Sequence, residues 1–288
     1  MAWHRGVVIK TEADLAAMRR AGRVNARALA AAVSAVRPGV TTAEVNAATE
    51  AVLRKDGAGM AFLGYPGPYP YPAATCISVN DELVHGIPGP RQLKEGDIVS
   101  IDVGSVVDGF VGDSAITIGV GQISEEAQRL LDVTCAALFA GIERMRVGQR
   151  TGDVSAAIQA TVERNGFNVV REYTGHGVGR AMHEDPQVPN YGKAGMGMSL
   201  QPGITIALEP MVLAGSPETR VLRDQWTVAS RDGQLTAHFE HSVAVTANGP
   251  LILTALDEDL DGGASAAYNS YFVGRAPAAA REVEEQRT

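Results

Sequence analysis

The stretch 37-RPGVTTAEVNAATEAVLRKDG-57 returns 109 residues later, without a gap, as 146-RVGQRTGDVSAAIQATVERNG-166. Arg, Gly, Thr, Val, three Ala and the closing Gly coincide. Two alanine-rich helices can match by chance, but shared glycines at both ends argue for a duplicated unit, and the period is far too long for a solenoid. Thr41 with Glu44 three residues on forms a capping box at the head of the first copy, which runs to Gly57. The second copy is a helix from Thr151 to Gly166.

A further helix precedes each copy. Thr11 with Asp14 resembles a capping box, and Leu15, Met18, Leu29, Val33 and Val36 then recur at helical spacing until Pro38-Gly39. Ser124-Glu125-Glu126 opens another that reaches about Arg146. Strand-like segments follow each pair: 74–79 and 97–119, then 204–213, 220–230 and 235–246. The expected fold is α+β, a helix pair plus a curved antiparallel sheet repeated with pseudo-two-fold symmetry. Its halves are about 12–119 and 124–246, within a single catalytic domain, 1–261. Helices should cover one face of the sheet and leave the other for chemistry. The four prolines of 64-GYPGPYPYP-72 make it a loop. The small-residue-rich tail 262–288, with room for a short terminal helix, is assigned no role.

The chain has 288 residues, 45% of them hydrophobic, enough for a full core. Its net charge of −8 and its lack of any Lys/Arg cluster argue against a nucleic-acid partner. Two cysteines, Cys76 and Cys135, form neither a secreted disulfide framework nor a zinc motif, so a cytoplasmic location is expected. The first residues contain no signal-peptide core, and no later run is long and apolar enough to span a membrane.

Chemistry concentrates in the second segment of strands. Asp108-Gly109 between alternating apolar runs is a two-residue hairpin turn, which sets Val107 opposite Phe110 and Gly104 opposite Asp113. Asp102 and Asp113 then leave the same face as diagonal neighbours. One alternative is a pair of acids on a solvated sheet face. If they face a core, two like charges so close share a proton or a cation. Glu209, Glu240 and His176 add acids and an imidazole beside other β-rich apolar runs, and an oxygen-dominated set of this kind suits two divalent ions. The glycines of 175-GHGVG-179 do not form a phosphate cradle, because Pro186, Pro189 and Gly192 forbid the helix it needs. They permit close backbone approach beside His176.

From Ile9 to Thr246 the chain resembles the type I methionine aminopeptidases, of the pita-bread fold. The motif Tyr173-Thr-Gly-His176-Gly-Val-Gly, then His183 and Val188-Pro-Asn190-Tyr191, is similar to that family's histidine signature. The resemblance implies that Asp102, Asp113, His176, Glu209 and Glu240 hold two divalent ions (Co, Mn, Fe or Zn), with Asp113 and Glu240 bridging. It also implies that Glu209 shuttles a proton to the leaving amine, while His85 and His183 meet the substrate. By motif position the methionine pocket is Tyr71, Cys76, Met182 and Trp226, with Tyr65 or Tyr69 as alternatives to Tyr71. The chain departs from the family pattern at Met182 (usually Phe), Val111 (commonly His) and His238 (usually Gln), none of them a metal ligand.

The implied activity is removal of the initiator methionine from nascent proteins with a small second residue, by a monomer near the ribosome, with no nucleic-acid or membrane partner. The rivals are an Xaa-Pro aminopeptidase or prolidase of the same fold and an inactive peptide-binding relative. Trp226, the HGIPG segment and a short N-terminus favour methionine cleavage, and only 25 residues separate His183 from Glu209, which favours type I over type II. All five ligand positions are filled, which argues against an inactive protein.

Overall fold

The computed structural model describes residues 4–256 and Phe272; the tail 262–288 otherwise lies outside the described residues. Strand β1 (His4–Val7) leads into α1 (Glu12–Ala35) and α2 (Thr42–Lys55). At both helices the expected capping boxes form. Thr11 and Asp14 satisfy each other's backbone N–H groups at 3.0 and 3.2 Å, and Thr41 and Glu44 do so at 2.8 and 3.2 Å. The first half continues as β2 (Gly59–Met60), β3 (Thr75–Val79), β4 (Glu82–Val84), β5 (Ile98–Val107) and β6 (Phe110–Gly119).

The second half repeats the plan with α3 (Glu125–Ile142) and α4 (Thr151–Arg164), followed by β7 (Asn168–Val169), β8 (Thr174–Gly177), β9 (Glu184–Pro189), β10 (Thr205–Leu208) and β11 (Met211–Leu213). The chain then forms β12 (Thr219–Val221), β13 (Val228–Ser230), β14 (Thr236–His238), β15 (Glu240–Thr246) and β16 (Gly249–Ile252). Helix α3 stops before the expected Arg146, since the chain turns at Glu143 and buries Met145.

Ten strands form one sheet, in the order β1-β9-β8-β10-β15-β6-β5-β2, with β16 on β15 and β3 on β5. The two halves meet along the β6–β15 seam, where Glu240 pairs with Ala115 and His241 with Ser114. The sheet is mixed rather than wholly antiparallel, because β1 adds to β9 in parallel. Two three-stranded sheets, β14-β11-β7 and β12-β13-β4, branch from it.

That branching corrects the sequence reading at three places. Segment 204–213 is two strands in different sheets, interrupted at Glu209-Pro210, where proline withholds the next ladder donor. Segment 235–246 divides likewise at Phe239, and 220–230 is interrupted by a turn carrying Trp226.

The helices cover one face. Leu29 of α1, Leu53 of α2, Leu130 and Leu138 of α3 and Ile158 of α4 join Ile77, Ile101, Ile116, Ile206 and Phe239 of the strand side in a single core. Helix α1 comes close enough for the Asn25 amide to donate to the carbonyls of Val103 at 2.5 Å and Gly112 at 2.8 Å, while its side-chain oxygen accepts from the Ser114 hydroxyl. Such a buried Asn spends its hydrogen bonds on the backs of β5 and β6, and thereby fixes which face of that hairpin remains free.

Candidate metal centre and substrate pocket

The Asp108-Gly109 turn has φ of 52° and 75°, the left-handed pair that a tight hairpin requires. Its register follows the alternation: Val107 pairs with Phe110, Gly104 with Asp113 and Asp102 with Ala115. Ala115 pairs in turn with Glu240 across the seam, so one row of paired positions carries Asp102 and Glu240 on either side of an alanine. In the other half His176 on β8 pairs with Ala207 on β10, and Ala207 with Ser242 on β15. Side chains alternate with period two, so Asp102, Asp113, Glu240 and His176 all rise from one face, joined by Glu209 at the end of β10. The positions between them are Gly104, Ala115, Ala207 and Ser242, too small to fill the space the acids surround.

Ligand atoms of Asp113, His176 and Glu240 lie within 4.8 Å of one another. His176 Nε2 is 3.5 Å from Glu209 Oε1 and 3.9 Å from Asp113 Oδ2. Buried Asp102 Oδ1, Asp113 Oδ1 and Glu240 Oε1 have no hydrogen-bond partner among the described residues. Burying carboxylate oxygens without partners is costly, and the trio of Asp113, His176 and Glu240, with Asp102 and Glu209 outside it, is a donor set that divalent cations take. The residues present therefore fit a metal centre.

Burial pushes every carboxyl of the cluster upward. Asp102 is raised to about 7, with the charge of Glu209 adding to the desolvation, and Glu209 is raised to about 7. Asp113 and Glu240 are pushed well above the carboxylate range by burial and by the neighbouring acids. Perturbation of this kind in a cleft marks functional positions.

The cluster floors a cavity of about 620 Å³, counting its open mouth. All the residues expected at the site line it. Beside the five cluster residues these are His85 and His183, and the pocket residues Tyr71, Cys76, Met182 and Trp226. The Tyr71 and Trp226 rings meet edge to face at 5.1 Å, and the Tyr71 hydroxyl reaches the Gly86 carbonyl at 2.8 Å. Burial keeps both the Tyr71 phenol and the Cys76 thiol protonated by raising their pKa values. The Pro-rich loop folds against Trp226 through Gly67, where any Cβ would collide with the indole ring. His85 sits in the left-handed backbone region, φ 62°, and burial and the charge of His238 lower it to about 4. His183 is lowered to about 2 by burial, then by the charges of His176 and His85.

The sequence left the identity of the wall tyrosine open between Tyr65, Tyr69 and Tyr71. Both Tyr65 and Tyr71 line the cavity, whereas Tyr69 stands outside it, its hydroxyl donating to the Asp224 carbonyl at 2.8 Å. Two residues went unassigned. Phe62 joins the wall without a motif to announce it. His238 places Nε2 at 3.5 Å from Glu209 Oε2 and 3.9 Å from Glu240 Oε2, and burial lowers its pKa. Its position two residues before Glu240 was the only local signal.

A duplicated α+β sheet presenting buried acids and an imidazole to a cleft defines a metallohydrolase. The chain belongs to metallopeptidase family M24, whose profile matches residues 16–247. It is 47% identical over 250 residues to the methionine aminopeptidase of Clostridium perfringens, covering 87% of this chain and 99% of that protein. The crystal structure of methionine aminopeptidase from Thermotoga maritima superposes with a TM-score of 0.84 at 46% identity, covering 86% of this chain and 99% of the other. The prolidase of Pyrococcus horikoshii, at 23% identity and a TM-score of 0.69, covers 88% of this chain and 65% of its own, a likeness that shows the fold alone. The α+β architecture expected from the repeat, and the pita-bread fold that the family resemblance implied, are thus the observed ones.

Proposed function

We propose that the chain is a metal-dependent methionine aminopeptidase that releases the initiator methionine from nascent polypeptides whose second residue is small. The observation that carries the reading is the set of unpartnered buried oxygens on Asp102, Asp113 and Glu240, on the floor of a cavity walled by Tyr71, Cys76 and Trp226. Asp102, Asp113, His176, Glu209 and Glu240 would hold two divalent cations. Divalent cations held there supply an acidified water as nucleophile and polarise the scissile carbonyl.

The remaining work falls to the side chains. Glu209, at the end of β10 beside His176, is placed to accept a proton at its carboxylate and pass it to the departing amine. The Tyr65 hydroxyl lies 2.6 Å from His183 Nδ1. We assign the phenol as the donor in this contact, which places the hydrogen of the neutral His183 ring on Nε2. That N–H is the donor we assign to the developing oxyanion, with His85 positioning the scissile amide. Tyr71, Cys76, Phe62, Met182 and Trp226 give soft and aromatic walls suited to an unbranched thioether.

Nascent chain N-termini near the ribosome are the partner and the cytoplasm the location that this activity calls for, with the protein acting as a monomer. Among the described residues no helix is long and apolar enough to cross a membrane. The test is to strip the protein of metal, restore Mn²⁺, Co²⁺, Fe²⁺ or Zn²⁺ in turn, and assay Met-Ala and Xaa-Pro peptides side by side. Metal-dependent release of methionine from Met-Ala is expected, and release from Xaa-Pro peptides alone would overturn the assignment.

A further inference from the structure

Glu209 stands between two imidazoles. His176 Nε2 lies 3.5 Å from its Oε1, and His238 Nε2 lies 3.5 Å from its Oε2. His238 is 2% exposed, and its Nε2 is shielded from solvent with no hydrogen-bond partner among the described residues. Glu209 Oε2 and, at 3.9 Å, Glu240 Oε2 lie beside that nitrogen, and the charge of Asp102 also acts on the ring.

A ring nitrogen carries either a hydrogen or a lone pair. A lone pair aimed at two carboxylate oxygens is repelled by both, whereas an N–H is attracted by both. Burial sharpens the choice, because little solvent is present to soften the repulsion. We infer that His238 is a positioning residue whose neutral imidazole carries its hydrogen on Nε2, directs it at Oε2 of Glu209, and so leaves Oε1 as the oxygen presented beside His176. The inference rests on the reading of Glu209 as part of the metal centre.

A role for His238 as a further metal ligand fits less well. Asp102 and Glu209, like His238, stand outside the trio of ligand atoms that converge within 4.8 Å, but both line the cavity and His238 does not. A hydrogen bond from behind a ligating carboxylate fixes the plane of that carboxylate and decides which oxygen faces forward.

Nitrogen-15 NMR of the intact protein, with the His238 signals identified by their loss in His238→Gln, reads the tautomer directly. Hydrogen on Nε2 is expected, and hydrogen on Nδ1 overturns the inference whether or not metal is bound. Titration of Mn²⁺ into the wild type, His238→Gln and His238→Leu supplies the second measurement. Glutamine retains an N–H donor and leucine does not, so Mn²⁺ binding should weaken about tenfold or more in His238→Leu and stay within about threefold in His238→Gln. Equal weakening in both variants, or none in His238→Leu, overturns the inference. A wild type that carries hydrogen on Nε2 yet binds no Mn²⁺ would instead sink the reading of the metal centre while the tautomer stands.

Discussion

The phenol oxygen of Tyr65 lies 2.6 Å from Nδ1 of His183, and the two rings meet at 63° with centroids 5.4 Å apart. This contact joins the Pro-rich loop of the first half to the histidine stretch of the second. It engages Nδ1 of His183. Tyr65→Phe removes the donor and leaves the ring packing, so kcat on a Met-Ala peptide should fall about tenfold, the worth of one good hydrogen bond, with KM nearly unchanged. Steady-state kinetics decide the matter, and an unchanged kcat would remove Tyr65 from the chemistry.

Asp102→Ala and Glu240→Ala each take away a carboxylate on which the proposed metal pair depends. Both should reduce turnover below detection and lower the bound metal from two ions toward one, as read by elemental analysis after dialysis. Full turnover in either variant refutes the shared centre.

The pH behaviour follows from the raised carboxyls. Asp102 and Glu209 are held at about 7 by burial, above the unfolded values of about 4. Over that interval the unfolded chain loses protons that the folded chain keeps, so the metal-stripped protein loses stability as the pH climbs from about 4 through 7. Cations compete with protons for the same oxygens and gain where the protons leave. The Tm difference between metal-loaded and stripped protein should therefore be small at about pH 5.5 and wide at about pH 8. The buried His241, lowered to about 3 by desolvation, acts alike in both forms and cancels. A gap that narrows with rising pH would contradict this account.

Lys10 and Glu184 form an ion pair at 2.5 Å with both side chains 3% exposed. Glu184 also accepts from the Ala181 N–H at 3.2 Å, so the pair underpins the loop that carries Met182 and His183. Lys10→Ala leaves a buried carboxylate alone and should cost about 3–5 kcal/mol, whereas replacing both partners with Lys10→Met and Glu184→Leu should recover most of it. Urea titration of the three proteins measures this. A loss as large in the double variant as in the single one would mean that packing, not the isolated charge, sets the cost.

Much of the architecture was legible because it is written in short-range patterns. Thr11 with Asp14 and Thr41 with Glu44 announce helix starts within four residues, and the returned stretch 146–166 announces the duplication. Asp108-Gly109 announces a turn whose register then follows by counting, which brought Asp102 and Asp113 to one face without reference to the rest of the chain. The failures share a cause. Glu209-Pro210 and Phe239 lie inside runs that look continuous, and strand alternation does not say when a chain leaves one sheet for another.

The sequence by itself determined the local elements, the doubled plan and the hairpin that puts two aspartates on one face, and family likeness pointed to the rest of the cluster. Only the tertiary structure decided that Glu240 joins the row of Asp102 across Ala115, that Tyr65 meets His183, and that His238 comes within 3.5 Å of Glu209. These relations span 118 residues for Tyr65 and His183 and run across a seam between halves. Period two and period 3.6 carry no information over such separations. Packing of α1 and α3 onto the back of a shared sheet turns its other face inward, and that burial gives the acids their common cavity and their raised pKa values.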